Sequence, residues 1–172
     1  NCAGLSSDYI AKLTGIDIQK SGYKLKYCKG SYFSYAKSSP VKMLIYPVPH
    51  DELVGLGIHA TLDLGSRLRF GPDAEYIENI DYRVDANKRE RFYESALKII
   101  RGLDKDALAP DMAGIRPKLS GKNETARDFV IKDEAEKGLD GLINLIGIES
   151  PGLTASPAIA KVVADMVSRT LN

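Results

Sequence analysis

The segment Gly147-Ile148-Glu149-Ser150-Pro151-Gly152-Leu153-Thr154-Ala155-Ser156 decides how this chain is read. An apolar run over residues 142–148 leads into it and an amphipathic helical pattern over residues 158–171 follows. A buried strand is therefore expected to feed a turn, and the turn a helix. Two glycines permit close approach of the backbone, and Ser150, Thr154 and Ser156 supply hydroxyls suited to capping. The first turn of such a helix carries N–H groups with no helical partner and the positive end of the dipole, a place for a phosphate, a carboxylate or an anionic ring edge. An ordinary capped helix after a strand is the other reading of the same residues.

Outward from that turn the pattern is sheet-forming. Residues 23–36 alternate and are rich in Tyr and Phe, and residues 42–48 are a second strand candidate, closed by Pro47 and Pro49. Residues 55–62 and 67–70 flank Asp63-Leu64-Gly65-Ser66, which reads as a hairpin turn, and residues 129–132 make a later short strand. Helical periodicity interrupts these strands. Ser6-Ser7-Asp8 is expected to cap a helix that runs to Leu13 and ends at Gly15. Residues 87–101 put Phe92, Tyr93, Ala96, Leu97 and Ile100 on one face, and residues 104–108 form a short helical turn. Residues 120–127 read as a polar loop. Strands with helices set aside imply an α+β fold: a mixed, mostly antiparallel sheet with helices on one side.

A chain of 172 residues can bury a core of its own and reads as a single domain. A net charge of +1 gives no electrostatic case for nucleic acid. No apolar run approaches the roughly 18 residues of a membrane-spanning helix, and no signal-peptide pattern is present. Cys2 and Cys28 are too few and too far apart for a zinc site or a disulfide scaffold, so no metal is expected and a reducing compartment is preferred.

Three further strings carry chemistry. In Gly114-Ile115-Arg116-Pro117 the Gly and the Pro hold Arg116 in a fixed, non-helical backbone, and its planar fork suits a carboxylate; an Arg paired with a nearby acid is the alternative. In Gly57-Ile58-His59-Ala60-Thr61 the imidazole of His59 titrates in the range a general base needs, although a lone His on a strand is more often structural. In Lys29-Gly30-Ser31-Tyr32-Phe33, Tyr32 offers a ring wall and a hydroxyl and Lys29 a positive charge, against the alternative of a sheet aromatic and a solvated Lys. The turn Phe70-Gly71-Pro72-Asp73 is explained by turn geometry alone.

These strings, with Asn1-Cys2-Ala3-Gly4-Leu5 and the segment 147–156, resemble the D-amino-acid-oxidase-like FAD oxidoreductases, and most closely their L-2-hydroxyglutarate dehydrogenase/oxidase branch. The resemblance runs from Asn1 to about Ser168. It implies FAD as cofactor. Gly4, Gly147, Ser150, Pro151, Gly152, Leu153 and Thr154 would contact it, the helix N-terminus facing the pyrimidine edge of the flavin. It also implies that Arg116 clamps the substrate carboxylate, that Lys29 and Tyr32 line the substrate side, and that His59 is the base.

By the same resemblance, the chain is the substrate-binding domain and C-terminal flavin-contacting segment of a longer protein, and the N-terminal Rossmann FAD domain lies outside it. The G-x-G-x-x-G phosphate loop of that domain does not occur here. The expected partners are a small-molecule hydroxy acid, that FAD domain, and quinone or oxygen as electron acceptor. The expected location is cytoplasmic, at a membrane periphery, or mitochondrial in a eukaryote. The alternatives within the family are an amino-acid or amine oxidase and a glycerol-3-phosphate dehydrogenase. Outside it stands a non-catalytic interaction module.

Overall fold

The structure, a computed structural model, describes residues 1–48 and 57–171. In chain order the elements are α1 (Ser7–Leu13), β1 (Lys26–Tyr35), β2 (His59–Leu62), β3 (Leu68–Gly71), β4 (Glu75–Ile77), α2 (Arg89–Leu97), β5 (Leu108–Lys118), β6 (Val130–Asp133), β7 (Ile143–Ile146) and α3 (Gly152–Leu171). Short 3-10 turns occupy Gly4–Ser6, Ala86–Lys88, Lys105–Ala107 and Ala135–Lys137. The fold is α+β, and each of the β1–β3, β2–β3 and β6–β7 ladders is antiparallel. Where the sequence reads as one domain, the contacts fall into two compact units: Asn1–Cys28 with Arg116–Asn172, and Lys29–Ile115. The chain changes unit inside β1 and again inside β5.

The unit Lys29–Ile115 is built on strands in the order β2-β3-β1-β4, with β5 also pairing with β1. Phe33 pairs with Phe70, and Phe70 with Ala60, so these three lie on one face. With Tyr35, Leu68, Leu108 and the α2 residues Phe92 and Ala96 they form the core. The Phe33 and Phe92 rings meet at 4.5 Å between centroids, tilted by 33°. The hairpin expected at residues 63–66 is present. The Asp63 carboxylate accepts from Gly65 N and Arg67 N, both at 2.9 Å, and Ser66 takes a positive φ of 62°.

The unit Asn1–Cys28 with Arg116–Asn172 packs Ala11, Ile16, Tyr23, Leu25, Leu119 and Ile146 into a second core. Asn1 runs beside β7: its backbone N donates to Ile143 O at 2.8 Å and its carbonyl accepts from Leu145 N at 3.0 Å. A buried polar chain crosses this core. Tyr23 Oη and Asn144 Nδ2 both donate to Glu134 Oε1, at 2.7 and 2.9 Å, and Asn1 Nδ2 donates to Asn144 Oδ1 at 2.7 Å. Lys137 donates to the other Glu134 oxygen. Burial pushes the Glu134 carboxyl up, but the bonds from Asn144, Lys137 and Tyr23 outweigh it and leave the group below its ordinary value.

Several local expectations change. Residues 42–48 form no strand; only Ile45 bridges to Ala60. Residues 49–56, the start of the stretch read as 55–62, lie outside the described residues. The β5 strand was not expected, because Pro110 and Pro117 interrupt its pattern. Among the described strands it pairs only with β1, and an unladdered side is where proline is tolerated. Ser6 caps α1 with no side-chain bond; instead the buried Asp8 carboxylate accepts from Tyr9 N and Leu25 N. Leu97 is exposed rather than on the packed face of α2.

The α3 helix starts at Gly152, six residues before its amphipathic pattern, and carries Pro157 in its interior. Proline cannot donate to the carbonyl four residues back, and here the Ser156 hydroxyl donates to Leu153 O at 2.8 Å in its place.

Candidate functional site

In the unit that holds Arg116, the site residues gather where the end of β5 meets the turn before α3. Arg116 is half-buried, and its Nη1 lies 3.8 Å from the Sγ of the fully buried Cys28. Two residues on, Lys118 Nζ reaches Glu149 Oε1 at 2.6 Å, with both side chains largely buried. Next to it Leu119 packs on Gly147, whose φ is +75°; a Cβ there would stand 2.5 Å from Leu119 Cγ. An ion pair and a close apolar contact thus fix the strand that carries Arg116 to the turn at 147–149.

From that anchor the chain passes through Ser150 and Pro151, both exposed, into α3. Gly152 N donates to Glu149 O at 2.5 Å and Ala155 N to Pro151 O at 2.9 Å. The N–H groups of Leu153 and Thr154 have no helical carbonyl to serve, as in any helix first turn. Leu153 is 91% exposed, Thr154 is exposed, and no acidic residue lies in the first turn. This helix start opens at the surface, where its dipole favours an anion. Gly152 has a reason in its own surroundings: a Cβ there would run into Ile148 Cγ2. Gly4 is exposed with φ +55°, and nothing lies within 4 Å of the position a Cβ would take.

In the unit Lys29–Ile115 the face of the sheet away from the core carries the other candidates. The registers His59↔Gly71 and Phe33↔Phe70, with the Ile45↔Ala60 bridge, set Tyr46, His59, Gly71 and Tyr32 in one row across neighbouring segments. Tyr46 stacks on His59 with ring centroids 4.3 Å apart and planes 27° from parallel. His59 Nδ1 lies 3.2 Å from Gly57 O. Gly71, at φ +145°, leaves room for Tyr32: a Cβ there would stand 2.7 Å from Tyr32 Cδ1 and from Ser31 O. The next row on the same face is Thr61, Arg69 and Ser34, with Arg69 Nε 2.6 Å from Asp111 Oδ2.

Lys29 is buried, and its ammonium donates to the Arg83 carbonyl. It shares the strand parity of Phe33 rather than that of Tyr32. Asp73, also buried, accepts from Ser31 N at 2.7 Å and pairs with Lys88 at 2.8 Å. Burial pulls Lys88 down, but its bonds to Asp73 and Glu75 outweigh that and hold it above its ordinary value. So the Gly71-Pro72-Asp73 turn is a built support for β1.

Sequence reasoning missed Tyr46, the Lys118–Glu149 pair and the Asp73–Lys88 pair. Lys118 and Glu149 are 31 positions apart, and only the fold brings them together. The exposed apolar segment ahead of Pro47 hid Tyr46 as one more strand residue. Among the described residues no cluster of His, Cys, Asp and Glu is arranged to hold a metal, and no helix is long and apolar enough to cross a membrane.

Residues 1–166 match the protein family described as FAD dependent oxidoreductase. The chain is 42% identical to the mitochondrial L-2-hydroxyglutarate dehydrogenase of Arabidopsis thaliana over 98% of its own length and 37% of the relative's. It is 30% identical to the glycerol 3-phosphate dehydrogenase of Caloramator mitchellensis over 97% of its length and 33% of that protein. Its fold resembles that of an FAD-bound L-alpha-glycerophosphate oxidase from Mycoplasma pneumoniae, with a TM-score of 0.75 at 21% identity, covering 96% of this chain and 41% of the other. The chain therefore spans about two fifths or less of the length of each of these proteins.

Proposed function

The chain belongs to the FAD-dependent oxidoreductase family, and from that premise we propose that it forms the substrate-binding part of a flavoenzyme that oxidises a 2-hydroxy acid, L-2-hydroxyglutarate, to the 2-oxo acid. The observation that carries this reading is the row Tyr46–His59–Gly71–Tyr32, which sets an imidazole and two phenols on one face of the sheet. An alcohol substrate needs a base for its hydroxyl proton, whereas an amine can shed its proton before binding. The similarity to the Arabidopsis enzyme over 98% of the chain supports the same choice.

In this reading Arg116 holds the substrate carboxylate through its planar fork, and the buried thiol of Cys28 lies against the guanidinium. His59 takes the hydroxyl proton, and Tyr32 walls the pocket. Lys29 supports the site from within by holding the Arg83 carbonyl. Residues 150–154 and Gly4 would hold FAD, with the dipole of α3 favouring negative charge at the ring edge. FAD, when bound, supplies the acceptor for the hydride released as the alcohol becomes a ketone. Quinone or oxygen would reoxidise it.

The test is anaerobic mixing of the FAD-loaded protein containing this chain with L-2-hydroxyglutarate, its D-enantiomer, glycerol 3-phosphate, glycine and D-amino acids. Bleaching by L-2-hydroxyglutarate at a rate well above the others is the expected result. Preferential bleaching by glycerol 3-phosphate would move the chain to that branch, and bleaching by amines alone would end the hydroxy-acid reading.

A further inference from the structure

We propose that Cys28 is a positioning residue for substrate binding: its buried thiol seats one edge of the Arg116 guanidinium without neutralising it, so that the fork meets a substrate carboxylate already aimed. The inference rests on the reading of Arg116 as the carboxylate clamp.

Strand pairing makes the contact. β5 pairs with β1, and Arg116 of the one comes against Cys28 of the other, both within the unit Asn1–Cys28 with Arg116–Asn172. Cys28 is fully buried, and its Sγ accepts from Arg116 Nη1 at 3.8 Å. Among the described residues this is the one hydrogen bond of the Arg116 side chain, and no carboxylate stands within ion-pair distance of it. A sulfur is a weak acceptor and engages a single donor. The other N–H groups of the fork are left for a carboxylate, which takes them two at a time.

Arg69 shows what an acid does in the same role. Its guanidinium is shared by Asp111 at 2.6 Å and Asp63 at 3.5 Å, and it ties strand to strand. A carboxylate in the place of the Cys28 thiol would hold Arg116 in that way, and a substrate would have to displace it. With no contact at all, the long side chain would lose its freedom only when substrate binds, and affinity would fall by that cost. The thiol avoids both. It is fixed by the core around it, it orients the guanidinium from the buried side, and it leaves the positive charge unmatched.

The test compares Cys28→Ser, Cys28→Val and Cys28→Ala in the FAD-loaded protein, with Arg116→Lys alongside. KM and kcat are measured for L-2-hydroxyglutarate. Glutarate, which keeps the carboxylates and has no hydroxyl to oxidise, is titrated for its Kd through the flavin spectrum. Cys28→Val and Cys28→Ala lose the acceptor and are expected to raise KM and the glutarate Kd roughly three- to tenfold with kcat little changed. Cys28→Ser keeps an acceptor and should stay near the parent. A role in packing alone would give the reverse order, because valine fills the space without burying a polar atom. Parental KM and glutarate Kd in either Cys28→Val or Cys28→Ala would overturn the proposal, so one of the two failing to fold does not protect it. A serine variant no better than valine would overturn it as well. If Arg116→Lys leaves kcat/KM and the glutarate Kd unchanged, the clamp reading fails first. If Arg116→Lys is impaired while Cys28→Val is not, only the role of Cys28 fails.

Discussion

Lys118 Nζ and Glu149 Oε1 stand 2.6 Å apart and join the end of the strand that carries Arg116 to the turn that opens α3. In the proposed enzyme, one side of this link holds substrate and the other holds the flavin edge. The pair is largely removed from solvent, so removing one partner leaves the other without its charge-assisted bond. Glu149→Gln is expected to lower stability by about 1–3 kcal/mol and to weaken FAD retention. A Lys118→Met/Glu149→Leu double variant should recover most of the stability. Equal melting temperatures for parent and Glu149→Gln would show the link to be idle.

Gly152 and Ile148 are predicted to be coupled. A Cβ at position 152 would run into Ile148 Cγ2, so Gly152→Ala should destabilise the protein by roughly 1–3 kcal/mol. In the Ile148→Ala background the same change should cost much less. If the penalty of Gly152→Ala is unchanged by Ile148→Ala in thermal unfolding, the glycine is required by something other than this contact.

Glu134 predicts an acid limb of stability. Its folded-state pKa lies below the ordinary glutamate value, so its contribution is fully present above about pH 4.3 and is lost as pH falls through the depressed folded value. Glu134→Gln should flatten that limb and lower stability by about 1–3 kcal/mol at neutral pH, because the bonds from Lys137 and Tyr23 lose their charged acceptor. Stability-against-pH curves of parent and variant that run parallel below pH 5 would contradict this.

Arg116→Lys keeps the charge and loses the fork. In the FAD-loaded protein, kcat/KM is expected to fall at least roughly tenfold with flavin still bound. His59→Asn should slow anaerobic flavin reduction by about 10²–10⁴. Unchanged kinetics in either variant would remove that residue from the site.

The parts of the fold that could be read from sequence are those whose signal is local. The hairpin at residues 63–66 shows in Asp63 and Gly65, the end of α1 in Gly15, and β7 in its apolar run. What stayed hidden depends on long-range partners. Pro110 and Pro117 disguise β5, which exists because β1 supplies its ladder. Gly152 and Pro157 push the apparent start of α3 downstream, because the Ser156 hydroxyl that compensates for the proline is invisible to periodicity. The strings single out Arg116, His59 and Tyr32 as candidates. The side chains that Arg116 and His59 touch, Cys28 and Tyr46, follow no spacing rule and are seen only once β1, β2 and β5 are in place.

The stack of Tyr46 on His59 also makes the site observable without a substrate. Protons of a ring lying 4.3 Å above an aromatic face are shielded by its ring current, so the His59 imidazole resonances should be displaced upfield in a magnetic resonance spectrum. The chain contributes only two histidines, His50 and His59, so selective labelling of this residue type leaves few signals to sort. The displaced one reports the state of the site. It would move toward the position of an unstacked imidazole in a variant that removes the Tyr46 ring, and so it checks the stack directly.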